Sequence, residues 1–404
     1  MTVRFSQFTH FLALFTLGFF ALAFSCGPAA AAGDPGGENA CRTERGLVIL
    51  VEFPGTPHEV DRAFVEERFF GKLNQYVQQM SYGRVCIGGE VTPRWYRMPH
   101  PIAYYSISSR NLQVDTSRVK RLINDVLAAV DADFDVSAYD FVALMLGAKQ
   151  PEYGMIGLCG YPGMLGWQAK DQLRSKSGKP VRGVAIFSYQ AHVGTLFHDV
   201  AHVIGGVLPN GNRVVPCLYD HDRQARPGPL WETFVDSLIN MGFWDPMSCH
   251  YYKRDEPPPG ISSWTKLRLG WLPEDKVAVV RPGETREILL GPLEDGQSAT
   301  LAIRIPLSPT KYYLVENRQP IGPDRILPGS GVLIMRADDK IDECRHDRAP
   351  VKLVDADPSV PHLEGAAFDL GKRDRFADVA AGLTIELLEK MGQSYRIRVS
   401  MQPR

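Results

Sequence analysis

The sequence predicts an α/β domain followed by an all-β sandwich domain. Between residues 46 and 204, continuous apolar runs alternate with segments whose apolar residues recur at helical spacing. After residue 274, short β-rich runs separated by Gly, Pro and Asp turns replace that pattern. The 404 residues suffice for two or three domains, each with its own core. The net charge of −1 gives no basic excess for binding nucleic acid.

Residues 1–32 have the order of a secretory signal peptide. Arg4 precedes the apolar run 11–24, and the small-residue tract 29–33 follows. The apolar run is shorter than the roughly 20 residues that span a membrane. We therefore expect cleavage after Ala32, a secreted or periplasmic protein, and no stable membrane span in the mature chain. A retained N-terminal anchor and lipidation at Cys26 are the alternatives, and residues 33–45 are interpreted as a linker.

Six cysteines remain after the predicted cleavage, and an even number in an exported chain favours disulfides. Six cysteines allow fifteen pairings, among which the sequence does not choose. We favour Cys217 with Cys249, because that bond would join the two segments flanking the candidate site described below. Free buried thiols are the alternative. The six are Cys41, Cys86, Cys159, Cys217, Cys249 and Cys344.

The first predicted domain spans residues 46–274. Its strands are expected at 46–53, 85–95, 139–146 and 184–188, where the sequence is continuously apolar or β-rich. Helices are expected at 60–80, at 117–130 and directly after residue 188. This alternation predicts a largely parallel sheet with helices packed against it.

The second predicted domain spans residues 275–404. It contains β-rich runs and no long helical pattern, which is typical of a β-sandwich. The runs are 277–280, 288–290, 300–305, 312–315, 331–335, 383–388 and 395–399.

The segment His198-Asp199-Val200-Ala201-His202 contains the candidate metal ligands and the candidate general base. Two histidines four residues apart lie on one face of a helix, so both imidazoles can bind one zinc ion. In zinc peptidases, the residue after the first histidine is a glutamate that acts as general base. Here that position holds Asp199.

Several motifs around these histidines resemble the immune inhibitor A family of secreted zinc metallopeptidases, which is metzincin-like. The resemblance extends over about residues 45–400 and implies a zincin-like catalytic domain, a zinc cofactor, and Met247 in a tight turn beneath the metal. The matching segments are Ser81-Tyr82-Gly83, Gly89-Glu90-Val91-Thr92-Pro93, Trp244-Asp245-Pro246-Met247, Ser263-Trp264-Thr265-Lys266, Leu269-Gly270-Trp271 and Tyr313-Leu314-Val315-Glu316-Asn317-Arg318-Gln319.

The third zinc ligand departs from the family pattern. Leu208 occupies the metzincin offset and cannot bind a metal, whereas alignment to the family's aspartate gives Asn210 or Cys217. The segment between these two resembles an insertion, which would bring Asp220, His221 or Asp222 to the metal instead. We favour His221, because histidine is a normal third ligand.

The residue at the general-base position also differs from the family pattern, because Asp199 is one methylene shorter than glutamate. The shortening withdraws the carboxylate by about 1.5 Å, one C–C bond. A misplacement of about 1 Å lowers a rate on the order of a hundredfold. The shorter acid is therefore compatible with a slow enzyme, or with a normal one whose helix lies closer to the metal.

The resulting expectation is a secreted zinc endopeptidase with zinc on His198, His202 and His221 and with Asp199 as base. The expected binding partner of this enzyme is a protein or peptide substrate. A pseudopeptidase that acts as a binding or adhesion protein is the alternative, and a carbohydrate-binding β domain is a third reading. Tyr251 or Tyr252 is a candidate for stabilising an oxyanion in the first case, although we favour simple surface packing for both.

Calcium is a further candidate cofactor, in the second domain. The acidic residues that would hold it are Asp338, Asp339, Asp342, Asp355 and Asp357, for which we favour a solvated loop.

Overall fold

The computed structural model describes residues 41–166, 172–252 and 254–403. The predicted signal peptide, Cys26 and most of the linker lie outside these residues. From Cys41 the chain forms one compact unit. Within the described residues, no helix has the length and apolar character needed to cross a bilayer.

The N-terminal part is built on a six-stranded sheet. Its strands are β1 (Arg42–Glu52), β2 (Val85–Val91), β3 (Tyr96–Arg97), β4 (Phe141–Leu146), β5 (Gly157–Tyr161) and β6 (Val184–Ser188). The order is β2-β1-β4-β6-β5, with β3 also beside β1. All pairs are parallel except β5 with β6, so β5 is an antiparallel edge strand.

The helices are mostly short. They are α1 (Arg62–Glu66), α2 (Asn74–Met80), α3 (Ile102–Tyr105), α4 (Thr116–Val130), α5 (Gln150–Tyr153), α6 (Val193–Ile204), α7 (His221–Gln224), α8 (Leu230–Asp236) and α9 (Ser263–Arg268). A π-helical stretch, Glu67–Leu73, joins α1 to α2, so the helix predicted at 60–80 is one helical stretch with a wider middle turn.

Both faces of this sheet are covered, which explains its continuously apolar strands. In β1, Leu47, Ile49 and Val51 belong to the apolar cluster that contains α4. Val48 and Leu50 point to the other face, into the cluster that contains α2 and α6. The structure thus confirms the predicted α/β layering.

The C-terminal part consists of two mainly antiparallel sheets. Its strands are β7 (Val277–Val279), β8 (Thr285–Leu290), β9 (Ala302–Pro306), β10 (Lys311–Arg318), β11 (Gly331–Asp338), β12 (Val351–Leu353), β13 (Arg375–Asp378), β14 (Leu383–Met391) and β15 (Ser394–Met401). The orders are β12-β11-β10-β9-β7 and β13-β14-β15-β8. Apolar side chains of both sheets share one cluster, as in a sandwich.

The two parts also share a core across the predicted boundary at residue 275. Tyr312 and Leu314 of β10 belong to the same apolar cluster as Val48 of β1 and Phe197 of α6. The other face of β10 packs into the sandwich through Tyr313 and Val315. The β part therefore lies directly against the layer that carries α6.

The cysteines pair differently from the expectation. The structure contains a disulfide between Cys41, directly before β1, and Cys86 of the neighbouring strand β2. The predicted pairing of Cys217 with Cys249 is wrong, since both are free and buried, as are Cys159 and Cys344. The physical reason is orientation: the Cys217 thiol faces two histidines, whereas the Cys249 thiol lies 3.9 Å from the Tyr251 carbonyl oxygen.

We expect peptide mapping of the mature protein to find the Cys41–Cys86 crosslink and four thiols that alkylate only after unfolding. The bond closes a loop with a sequence separation of 45, for which chain entropy predicts a stabilisation of about 4 kcal/mol. A double Cys41→Ser/Cys86→Ser variant should therefore unfold at a clearly lower urea concentration. A mapped Cys217–Cys249 bond would contradict this pairing.

Candidate metal centre

Helix α6 places His198 and His202 on one buried face. It begins after β6 at Val193 and ends at Ile204. Gly206 then adopts φ +74°, a conformation that side-chain-bearing residues rarely adopt, and the chain reverses there. A short hairpin follows, in which Val207 pairs with Arg213. This hairpin is the segment interpreted above as an insertion, and it returns the chain to the two histidines.

Each imidazole is oriented by a backbone carbonyl. His198 Nδ1 lies 3.0 Å from the Pro246 oxygen, and His202 Nδ1 lies 2.6 Å from the Val215 oxygen. Because a carbonyl oxygen only accepts, both Nδ1 atoms carry the proton and both Nε2 atoms present a lone pair. This is the tautomer that a metal-binding histidine requires.

Cys217 completes a group of three ligand atoms. Its Sγ lies 3.5 Å from His198 Nε2 and 3.4 Å from His202 Nε2. Tetrahedral coordination with normal zinc bond lengths separates nitrogen from sulfur by about 3.6 Å. The three atoms lie within 4.8 Å of one another, and no second group of three or more occurs in the ranges that the structure describes. The donor set therefore fits a zinc-sized ion, with a fourth position left for water or substrate.

The surroundings of Cys217 favour its thiolate form, which is the form that binds metals. Burial alone raises the pKa of this thiol, but the positive charge of Arg213 and contact with His202 and His198 more than offset that effect and hold the pKa well below its ordinary value. The Arg213 guanidinium lies 3.7 Å from Sγ. Since only the thiolate binds a metal, Arg213 favours the ligating form.

His202 is held neutral. Burial, and then the charge of Arg213, lower the pKa of His202 to about 3. Burial also opposes protonation of His198, but the neighbouring Cys217 thiolate raises its pKa above the ordinary value. A metal would replace that proton, because a bound ion and a proton compete for Nε2.

Asp199 lies beside this group without belonging to it. Its carboxylate is buried over β5, where a Cβ on Gly157 would come within 2.8 Å of Oδ2. Burial raises the pKa of Asp199 to about 7, against the opposing effects of His198, Arg213 and the Cys159 backbone N–H. The carboxyl is therefore poised between its acid and base forms near neutral pH.

Met247 lies in a tight turn next to the histidines. The turn is closed by Asp245, whose backbone oxygen accepts from Ser248 and Cys249 and whose Oδ1 accepts from the Met247 N–H at 2.7 Å. Its Pro246 carbonyl orients His198, and its Met247 carbonyl accepts from Leu218, next to Cys217. The turn thus supports two members of the ligand group.

The structure brings Cys217, rather than His221, to the position of the third ligand. His221 begins α7 and lines the same cleft, but its Nδ1 lies 3.5 Å from Glu343 Oε1 and its ring is outside the group of three. Asp220 caps α7 at the Arg223 N–H, and Asp222 accepts from the His346 N–H. Cys217 precedes α7 and its thiol faces the two histidines, whereas His221 is the first residue of that helix.

The remaining predicted residues have other partners. Tyr252 donates to the Phe243 oxygen at 3.1 Å, whereas Tyr251 lines the cleft with its ring packed on His250 and Phe234. The predicted calcium ligands do not converge, since Asp342 accepts from Asn210 and Asn212, Asp339 from Tyr312, and Asp357 from Ser359. The expected calcium site therefore has no counterpart among the residues that the structure describes.

The ligand group lies in a cleft of about 310 Å³. The cleft is lined by residues of β5 and of the loop before α4, and by the segment from Cys217 to Gln224 together with Glu343. The side chains of His198, His202 and Cys217 are among the residues that line this cleft.

Neither the protein-family models nor the curated proteins give a match to this chain.

Two features of the centre differ from the sequence-based expectation. The expectation favoured His221 over Cys217 as third ligand, and it contained no role for Arg213. Cys217 lies two residues after Val215, whose carbonyl orients His202. A signal was present, namely a basic residue four positions before a cysteine in the segment that follows the histidine helix.

Proposed function

We propose that this protein is an exported, zinc-dependent hydrolase of peptide bonds with a zincin-like catalytic domain, as the resemblance to the immune inhibitor A family implies. The observation that carries the proposal is the convergence of His198 Nε2, His202 Nε2 and Cys217 Sγ at separations suited to tetrahedral zinc, inside a cleft. The adjoining acid, Asp199, supports hydrolysis rather than metal storage.

The roles follow from the positions of the side chains. His198, His202 and Cys217 hold the ion, which supplies Lewis acidity and lowers the pKa of water towards neutrality. Asp199 takes the proton of the attacking water at its buried carboxylate, beside the ligand group. Arg213 keeps Cys217 ionised.

A peptide substrate is supported by the walls of the cleft. The edge strand β5 contributes Gly157, Leu158 and Cys159 to the lining, and an edge strand binds extended chains through its backbone groups. A second recess of about 440 Å³, lined by Trp231, Phe234 and Tyr251, adjoins the cleft at Tyr251. An apolar side chain of a peptide suits this recess.

A second candidate function is metal and peptide binding without turnover. It is favoured by the contact between Asp199 and the Cys159 backbone N–H, which draws the short carboxylate towards β5. A glutamate at this position would extend about 1.5 Å further.

The variant Asp199→Glu separates the two functions. If the protein is a peptidase limited by its short base, Asp199→Glu should raise casein hydrolysis by up to about a hundredfold at unchanged zinc content. Asp199→Asn and His202→Ala should be inactive, and Asp236→Glu, the same change on an exposed helical residue, should leave the rate unaltered. Stoichiometric zinc with no hydrolysis by either wild type or Asp199→Glu would establish the binding function instead.

A further inference from the structure

The guanidinium of Arg213 forms no ion pair with an Asp or Glu in the part of the chain that the structure describes. Its one hydrogen bond there is the 3.7 Å contact between Nη2 and Cys217 Sγ. The buried Arg318, by contrast, pairs with the Asp324 carboxylate at 2.6 Å. Arg213 is therefore a cation beside the ligand group that this chain does not pair with a carboxylate of its own.

The remaining nitrogen atoms of Arg213 are accessible. Arg213 is partly exposed and lines the cleft. Arg223 and Arg268 have nitrogen atoms that are both unpaired and inaccessible, whereas no nitrogen of Arg213 is in that state. Because Cys217 contacts only Nη2, the unpaired Nε and Nη1 retain accessible surface. Two donors are thus available to a ligand in the cleft.

The charges of the cleft favour an anionic ligand at Arg213. Glu343 lines the same cleft, but its carboxylate is paired with Arg345 at 3.1 Å. The Cys217 thiolate shares its charge with the ion when a metal is bound, so it then offsets less of the positive charge of Arg213. The ligand group and Arg213 together therefore attract a negative group.

A carboxylate is the anion that an unmodified peptide offers. The guanidinium carries its N–H donors in a planar fork, which matches the two oxygens of a carboxylate. Since Nη2 is 3.7 Å from Cys217 Sγ, a group bonded to Arg213 lies beside the ligand atoms. The carbonyl carbons of consecutive residues are three backbone bonds apart, at most about 4.3 Å. A reacting carbonyl at the ligand group thus keeps the next carboxyl group of the peptide within the same region.

We propose that Arg213 recognises a carboxylate of the peptide that occupies the cleft, next to the peptide bond at the ligand group. The inference deepens the proposed function, on which it rests only for the statement that the ligand is a peptide. The carboxylate is either the C-terminal one, in which case the substrate is the end of a chain, or that of an Asp or Glu side chain.

The test compares carboxylates with amides of the same shape, and it measures binding. Acetylated alanine pentapeptides are titrated onto the full mature Asp199→Asn chain at saturating zinc, and calorimetry gives Kd. One pair of peptides differs only in a free or amidated C-terminus. The other pairs are C-terminal amides with Asp or Asn at each position in turn.

The result identifies the source of the carboxylate. A charge-assisted hydrogen bond contributes about tenfold or more to binding. For a C-terminal carboxylate, we expect the free acid to bind at least about tenfold more tightly than the amide. For a side chain, one Asp peptide should exceed its Asn counterpart by that factor. Equal Kd values within every pair would overturn the proposal.

Variants of Arg213 show whether this residue is responsible. Arg213→Gln should reduce the preference for the carboxylate to less than about twofold, and Arg213→Lys should retain only part of it, because an ammonium keeps the charge and lacks the fork. Arg226→Gln, the same change at an exposed residue outside the cleft lining, should retain it. Each preference is a ratio on one variant, so a loss common to both ligands cancels. An unchanged preference in Arg213→Gln would assign the carboxylate to the metal or another group and overturn the proposal.

Failure of this inference is distinguishable from failure of the proposed function. Absent casein hydrolysis with a carboxylate preference that depends on Arg213 would refute the peptidase and leave the recognition site standing. Casein hydrolysis with equal Kd values within every pair would refute the recognition site alone.

Discussion

Cys217→Ala should remove zinc from the purified protein, with a loss of affinity greater than about 100-fold. Loss of groups that merely orient ligands already costs about 10–100-fold, and Cys217 contributes a ligand atom itself. The variant also removes the negative charge that lies among Arg213, His198 and His202. Zinc content measured by atomic emission, followed by competition with a chromogenic chelator, gives both the stoichiometry and the affinity.

Two variants make this result specific. Cys249→Ala removes a thiol that is also free and fully buried but is bonded elsewhere, so it should retain one zinc per chain. His221→Ala tests the ligand that the sequence favoured, and it should retain zinc as well. If His221→Ala loses the metal while Cys217→Ala keeps it, the third ligand is His221 and the cleft rearranges on binding.

Arg318→Met should lower the free energy of unfolding by about 3–5 kcal/mol. Arg318 is fully buried at the end of β10, and its guanidinium pairs with Asp324 through two hydrogen bonds of 2.7 and 2.6 Å. It also donates to the Trp244 oxygen at 3.0 Å and to the Gly260 oxygen at 2.7 Å. Its removal leaves the Asp324 carboxylate buried without its cationic partner.

The exposed arginine Arg398 provides the matched control. It pairs with Glu287 at 2.7 Å, but both side chains are more than two-fifths exposed, so Arg398→Met should cost no more than about 1 kcal/mol. Urea unfolding followed by fluorescence measures both variants. Equal losses would mean that the buried network contributes no more than a surface ion pair.

The position of Arg318 also links the β part to the metal centre. Its bond to the Trp244 carbonyl holds the turn in which Pro246 orients His198. Because residues that orient a ligand contribute to metal affinity, Arg318→Met should bind zinc about tenfold more weakly in the folded protein. The sandwich thus supports the centre through a buried charge, in addition to the apolar contacts of Tyr312 and Leu314.

The main strands and helices of the first part were accessible from the sequence because they depend on local patterns, whereas the edge strand β5 was not predicted. The apolar run at Leu47–Val51 and the helical spacing of 117–130 correspond to β1 and α4. The pairing of two histidines on one face was equally local, since positions four apart share a face in any α-helix. Apolar residues surround both histidines in α6, which accounts for the burial of their side chains.

The third ligand and the cysteine pairing were not accessible in this way. The third ligand and the orientation of the Cys217 thiol depend on where a loop returns after Gly206, and several side chains between Asn210 and Asp222 have suitable chemistry. The hairpin at 207–213 places Cys217 against the two histidines, and α7 then turns His221 towards Glu343. Sequence spacing does not define such a return path, because a loop adopts the conformation that its surroundings stabilise.

The sequence by itself determined the two kinds of layer, the histidine pair and the acid beside it, since each is a property of neighbouring residues in one helix or strand. Tertiary structure alone decided that Cys217 joins the histidines, that Arg213 favours its thiolate, and that Asp199 is buried over β5. Those outcomes depend on distances between segments far apart in the chain. The packing of α6, the hairpin and the Met247 turn against one another sets these distances.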